Sequence, residues 1–355
     1  MWVLKWNWPA QWSSGGRVGF MRRGFSHRSS AIAAVLALFV ATASTAVAAD
    51  YMAPRTHDGH PSLEGHWTNT SLTVLERPRD LTSLVLSEDQ ARRAAGARNQ
   101  ASDRDSQPTD PSSPAPQAGR DVGGYNAFWT DAGTSFAKIR GEYRSSWLID
   151  PADGKLPYTE EGKRLFAAGF NQQRTATSDP ELRSLGERCL LGFGSSAGPP
   201  MLNVSYNNNY LIAQTPGNVV VFSEMIHDAR IVRMDAPHQP SSMRRWMGDA
   251  VGHWEGDTLV IETTNMHPQE SMRVFYGQSL YISKDAKITE RLTRISDKQL
   301  LYGFEVDDSR IYSKTWRAEM VFNATDQPSY EYACHEGNYS MPGILAAGRM
   351  DGGQE

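Results

Sequence analysis

GDAVGHWEGDTLVIETTNM, residues 248–266, decides how the rest of the chain is read. Trp254 is a large aromatic anchor and Glu255-Gly256-Asp257 a turn signal. The run Thr258-Leu259-Val260-Ile261-Glu262-Thr263-Thr264 has the β-branched content that strands prefer. Alternation puts Val260 and Glu262 on one face, Leu259 and Ile261 on the other. A carboxylate on a strand with apolar residues on both faces is either solvated at the end of a sheet or aimed into a cavity, so Glu262 opens the functional question.

Working outward, strands are predicted over 210–214, 219–226, 229–234, 258–264, 286–295, 299–306, 315–322 and 329–334, with turn signals between them. Such a series gives a mainly β fold, an antiparallel barrel or sandwich, with a few peripheral helices. Gly65-His66-Trp67 recurs as Gly252-His253-Trp254, and a Gly-x-Trp heading a strand is how lipocalin-like barrels plug an end. Ser87-Glu88-Asp89-Gln90 makes a capping box for a helix to about Arg98, Thr159 caps another from Glu160 to about Gln172, and Asp179-Pro180 starts a short one. Residues 100–119, rich in Ser, Pro, Asp and Gln, form a flexible excursion, and order resumes at 123–129.

Residues 1–49 read as an export signal. Met21-Arg22-Arg23 is the positive start, 31–47 an Ala-rich apolar run, and Ala46-Val47-Ala48 a small-residue cleavage site. Met21 is read as the true start and Ala49 or Asp50 as the mature terminus. The alternative, a transmembrane helix, needs about 20 strongly apolar residues, so no stable membrane span is expected after signal removal. Arg22-Arg23-Gly24-Phe25 resembles the twin-arginine signal in part, which leaves the export route open. The rest, 50–355, is read as a single β-rich domain, periplasmic or secreted. A formal net charge of −4 and the lack of a basic block in the mature part argue against a nucleic-acid partner. Two cysteines, Cys189 and Cys334, in an oxidising compartment suggest one long-range disulfide, the alternative being two separately buried thiols.

Two stretches concentrate ionisable groups. In Glu224-Met225-Ile226-His227-Asp228-Ala229-Arg230, an uninterrupted strand puts Glu224, Asp228 and Arg230 on one face and His227 on the other, so a bulge or turn is needed to gather them. In Tyr330-Glu331-Tyr332-Ala333-Cys334-His335, period two aligns Glu331 with His335, and a carboxylate beside an imidazole fixes its tautomer and raises its basicity. A Cys189–Cys334 bridge draws Arg188 toward His335 as a cation for a carboxylate or an oxyanion. Tyr206-Asn207-Asn208-Asn209-Tyr210 offers amides and rings for recognition, or simply a turn. Glu290 and Arg291 face opposite ways, Arg291 suiting a salt-bridged outer face. No Walker loop, no dinucleotide fingerprint following a strand and no haem-attachment motif occurs, so no cofactor is expected. A divalent metal held by His227, His253 and His335 is the alternative.

The motifs LGERCLLGF, AGPPML, YNNNYLIAQTP, EMIHDARIV, GHWEGDTLVIETTN and YEYACHEGNY, in this order, resemble a large family of exported, mostly uncharacterised bacterial proteins. The resemblance spans roughly 59–348 and implies export; it supplies no reaction. The residues themselves suggest an acid/base enzyme of lyase, isomerase or hydrolase type acting on a small oxygenated molecule in a β-barrel or sandwich cavity. His335 is the general acid/base, Glu331 its orienter, and His227 or Glu224 the complementary group, with Arg188, Arg230, Asn208, Trp254 and Glu262 binding substrate. The alternative is a non-catalytic lipocalin-like carrier.

Overall fold

An odd number of strands cannot close into a barrel with every neighbouring pair antiparallel, and this chain closes nine. The computed structural model describes residues 51–107, 112, 114 and 130–351. The barrel strands are β1 (Gly65–Thr68), β2 (Asn209–Thr215), β3 (Asn218–Ser223), β4 (Asp228–Met234), β5 (Asp249–Glu255), β6 (Thr258–Thr264), β7 (Lys287–Ser296), β8 (Gln299–Asp307) and β9 (Trp316–Ala324). Each pairs with the next, and β9 returns to β1 with Trp67 opposite Ala324 and Thr68 opposite Asn323. Parity is satisfied at β4 and β5, the one parallel pair in this ring, where Arg233 faces Val251 and Met234 faces Gly252. Parallel neighbours need a crossover of a dozen or more residues, which residues 235–248 supply. The mainly β barrel read from the sequence is therefore present, but mixed rather than purely antiparallel.

Local pattern explains most boundaries. Strands β2, β4, β6, β7, β8 and β9 fall within two residues of expectation. Strand β5 was not among the expected strands, although it immediately precedes the Glu255-Gly256-Asp257 turn signal. A Cβ on Gly252 would stand 2.8 Å from Val232 Cγ1, so this glycine lets the strands approach closely. The strand expected over 219–226 ends at Ser223, where Met225–His227 forms a single tight turn with Ile226 at φ 67° and His227 at φ 46°. The strand expected over 329–334 does not form. That segment is irregular and leads into helices Cys334–Gly337 and Ser340–Asp351.

The lumen is filled with side chains, as in small barrels generally. Trp67, Tyr210, Tyr302, Phe304, Trp316 and Phe322 are buried inside. Phe322 packs edge-on against Tyr210 (5.1 Å between centroids) and Tyr302 (5.3 Å). Among them sits an ion pair: Arg230, 3% exposed, and Glu290, 0% exposed, joined by two bonds of 2.5 and 2.9 Å. Tyr302 Oη donates to the same carboxylate at 2.5 Å. The AGPPML segment and the serine before it close one end: Tyr210 Oη donates to Ser196 O at 2.7 Å, and Met201 N donates to Tyr302 Oη at 3.0 Å.

The two Gly-x-Trp copies do different work. Trp67 is buried, donates to Leu63 O at 2.9 Å and lies under the Arg294 guanidinium at 5.4 Å. Trp254 is half-buried and stacked on His60, with ring centroids 5.2 Å apart. Outside the barrel, α1 (Glu88–Asp105) begins with the Ser87/Gln90 capping box and runs past Arg98 into the expected excursion, and α2 (Glu160–Thr175) is capped by Thr159. Pro180–Leu182 is a single turn without a side-chain cap. The remainder of that excursion, the 123–129 segment and the 1–49 signal lie outside the described residues. Among the described residues, no helix is long and apolar enough to cross a membrane.

Candidate functional site

The turn at Met225–His227 is where the chain departs furthest from a strand, and the site is built around it. A β-branched residue at positive φ is strained; Ile226 tolerates it because it is buried with Val204 and Met225 in a small apolar cluster, against which Phe193, Tyr206, Tyr332 and Cys334 pack. On either side of Ile226, two polar groups hold the C-terminal segment. Glu224 is 2% exposed, accepts from Asn207 Nδ2 at 2.7 Å and from Asn209 Nδ2 at 3.3 Å, and takes the backbone N–H of Tyr330 at 3.1 Å. The exposed His227 bonds through Nδ1 to Tyr332 O at 3.0 Å. The predicted Glu224 and His227 thus act as fasteners for residues 330–332.

A second fastening lies two residues further on. Cys189 and Cys334 are joined in a disulfide, with Cα atoms 5.7 Å apart. Asn338 Nδ2 donates to Glu187 O at 2.8 Å and ties the short helix after Cys334 to the loop before the AGPPML segment. Between the two fastenings opens a cavity of about 730 Å³. Phe193 and Tyr206 meet edge to face beside it (6.3 Å), Tyr330 and Tyr332 line it, and Met341 and Ile344 reach it from the C-terminal helix. Burial, with the Tyr206 hydroxyl adding to it, pushes the Tyr332 phenol up to about 12, so it stays protonated. Glu331 lines the wall, exposed, with no partner among the described residues. Its expected partner His335 is exposed on the short helix and makes no bond to it; with 329–334 irregular, the period-two alignment does not arise.

The remaining predicted groups stand elsewhere. Arg230 is enclosed in the barrel against Glu290. Asn208, 1% exposed, ties down its own loop through Val204 N and O and Asp131 O; its neighbour Asn207 reaches the cavity. Trp254 stacks on His60 at a different pocket, of about 340 Å³. Arg188 sits close enough to His267 to help burial hold that imidazole below its usual pKa. Glu262 lies on the outer barrel face, held below the usual carboxylate range first by Lys287 and then by His238. Beside it the crossover is pinned by Asp249: burial raises its pKa, but Gln239 N, His238 and Arg233 outweigh that. His253 pairs with Glu255 at 3.2 Å and is not brought to His227 or His335. Among the described residues, no three His, Cys, Asp or Glu side chains stand close enough to hold a metal.

A buried acid lies behind the site. Glu270, 5% exposed, pairs with Arg273, which also reaches Ser195 Oγ at 2.9 Å and Pro199 O in the closing segment. Burial, only partly offset by Arg273, raises Glu270 to about 7. A carboxyl that holds its proton more tightly when folded favours folding at low pH, and that contribution is lost as pH rises from about 4.5 to about 7. At 1.36 kcal/mol per unit it amounts to about 3 kcal/mol. The stability of the wild type relative to Glu270→Gln is therefore expected to fall by about 3 kcal/mol across that interval in urea melts; a difference independent of pH contradicts the assignment.

Comparison of the chain with protein-family models, with curated proteins and with solved structures finds no match, so the reading of this site rests on its own geometry.

Proposed function

We propose that the protein binds a small, mainly apolar molecule in the cavity beside the Cys189–Cys334 bridge, and that it does so outside the cytoplasm. The carrying observation is the cavity itself: about 730 Å³, lined by Phe193, Tyr206, Tyr330, Tyr332, Met341 and Ile344. This is the size and character of small-molecule sites, which pair apolar walls with a few polar groups. The disulfide and the export-type N-terminus support a periplasmic or secreted location. The packed barrel serves as a scaffold, unlike a lipocalin, whose ligand enters the lumen.

Gly337 provides the test. It lines the cavity, and a Cβ there meets nothing within 4 Å, so Gly337→Phe inserts a ring into the space without a clash at its root. The neutral dye N-phenyl-1-naphthylamine is expected to brighten on binding wild type and to bind Gly337→Phe at least tenfold more weakly, with the melting temperature unchanged. Equal affinity for both proteins removes the reading.

Chemistry on the bound molecule is a second reading, favoured by the carboxylate of Glu331 at the wall without a partner. A positioned carboxylate can move a proton in elimination, hydration, isomerisation or hydrolysis without a cofactor. In that case Glu331 is the acid/base group, and the fasteners Glu224 and His227 act through the placement of 330–332.

A further inference from the structure

We infer that the molecule accepted by this cavity is an organic cation, an amine or quaternary ammonium carried on an apolar or aromatic body. The inference rests on the binding reading above and deepens it. Among the described residues, the cavity wall contains two carboxylates, Glu187 and Glu331, and no Lys, Arg or His. Glu187 is already neutralised, by Arg183 at 2.5 Å and by Ser184 N and Oγ at 3.0 and 2.8 Å. Glu331 has no counter-charge, so the lining carries one uncompensated negative charge.

The other polar groups lean the same way. Asn207 gives its amide N–H to Glu224 and Asn338 gives its own to Glu187 O, and their amide oxygens accept from no described residue. The N–H of Tyr330 is taken by Glu224. The main-chain N–H of Tyr330 and an amide N–H of each Asn are thus engaged while the amide oxygens stay open, and the hydroxyls of Tyr330, Tyr332 and Ser340 can accept as well as donate, so beside Glu331 a ligand bearing donors and positive charge is matched and an anion is opposed. The rings of Phe193, Tyr206, Tyr330 and Tyr332 add to this, since an aromatic face attracts a cation. A metal ion is a poor occupant, because it needs several oxygen or nitrogen ligands converging on one point; the single carboxylate and apolar walls suit a cation with a carbon skeleton.

Three probes of one shape separate the terms: 2-phenylethylammonium, 2-phenylethanol and 3-phenylpropionate, titrated into the full chain and followed by calorimetry or protein NMR. The ammonium is expected to bind at least tenfold more tightly than the alcohol, and the carboxylate most weakly. In Glu331→Gln the ammonium-to-alcohol ratio is expected to fall to within about twofold, a change of preference that general loosening of the fold does not produce. Raising salt should weaken the ammonium and leave the alcohol unmoved. Alcohol and ammonium binding equally, or a preference that survives Glu331→Gln, overturns the cation inference while leaving the cavity reading intact. Failure of both these probes and N-phenyl-1-naphthylamine to bind wild type overturns the two together.

Discussion

Replacing Arg230 by Met is expected to destabilise the protein by about 3–5 kcal/mol, a large part of the roughly 5–15 kcal/mol that holds most domains together. The reason is what the substitution leaves behind. Glu290, fully buried, keeps only the Tyr302 hydroxyl at 2.5 Å, and a carboxylate enclosed in the packed lumen opposite Phe304 has no water to replace the lost guanidinium. Glu290→Leu should cost as much for the mirror reason, since Arg230 Nε already lacks a partner and the rest of the guanidinium would join it. The double variant Arg230→Met/Glu290→Leu should recover most of the loss, because both desolvation costs vanish together and apolar side chains of similar volume fill the space. Urea melts of the four proteins give the coupling directly. Single variants within about 1 kcal/mol of wild type would mean that the pair behaves as a hydrated surface pair, and the packed-lumen description fails.

That pair also shows where a sequence stops being readable. Alternation places Arg230 on the inner face of β4, with Val232, and Glu290 on the inner face of β7, with Ile288 and Leu292. That they meet follows only from closure: the two strands are separated in the sheet by β5 and β6, and the bonds span the lumen. Arg291 facing out against Glu255 at 2.6 Å is the local half of the same pattern and was legible. The alternating runs of β2, β4, β6 and β9 and the caps at Ser87 and Thr159 were legible because each is fixed by neighbours in sequence. The parity that makes β4 and β5 parallel was not, since it depends on the strand count. At the site, Glu224, His227 and Glu331 stood out as ionisable groups in apolar surroundings; a turn interrupts the 224–230 stretch at Met225–His227, but it does not gather Arg230, which stays in the lumen against Glu290. The walls stood out only in part, through the 206–210 loop and the 330–335 stretch. Phe193 is a lone ring in a loop, and Met341 and Ile344 sit on a helix whose first turn contains Pro342 and Gly343, residues that mask helical periodicity.

Reduction of the Cys189–Cys334 bridge is expected to lower stability by as much as about 5 kcal/mol, the chain-entropy value for a loop of this length, and to remove ligand binding first. The bridge closes 145 residues, including strands β2 to β9, so the unfolded chain gains much freedom when it opens. The native side responds too. Beyond Ala324, the C-terminal segment is held by the disulfide, by Glu224 on Tyr330 N, by His227 on Tyr332 O and by Asn338 on Glu187 O. Its last helix, Ser340–Asp351, is mostly exposed, with Gly348 buried close against Thr177. Without the covalent tie, these few bonds must carry the segment alone, and local opening of 330–351 becomes easier than global unfolding. A frayed native state gains entropy of its own, so the measured global loss should fall below the full loop-closure value, within about 2–5 kcal/mol. Hydrogen exchange in 330–351 should accelerate in Cys189→Ala/Cys334→Ala while β7, β8 and β9 stay protected, and N-phenyl-1-naphthylamine affinity should drop at least tenfold. Unchanged exchange and dye binding in that variant would show that the bridge is not what shapes the cavity, leaving the hydrogen bonds of Glu224, His227 and Asn338 as its sufficient frame.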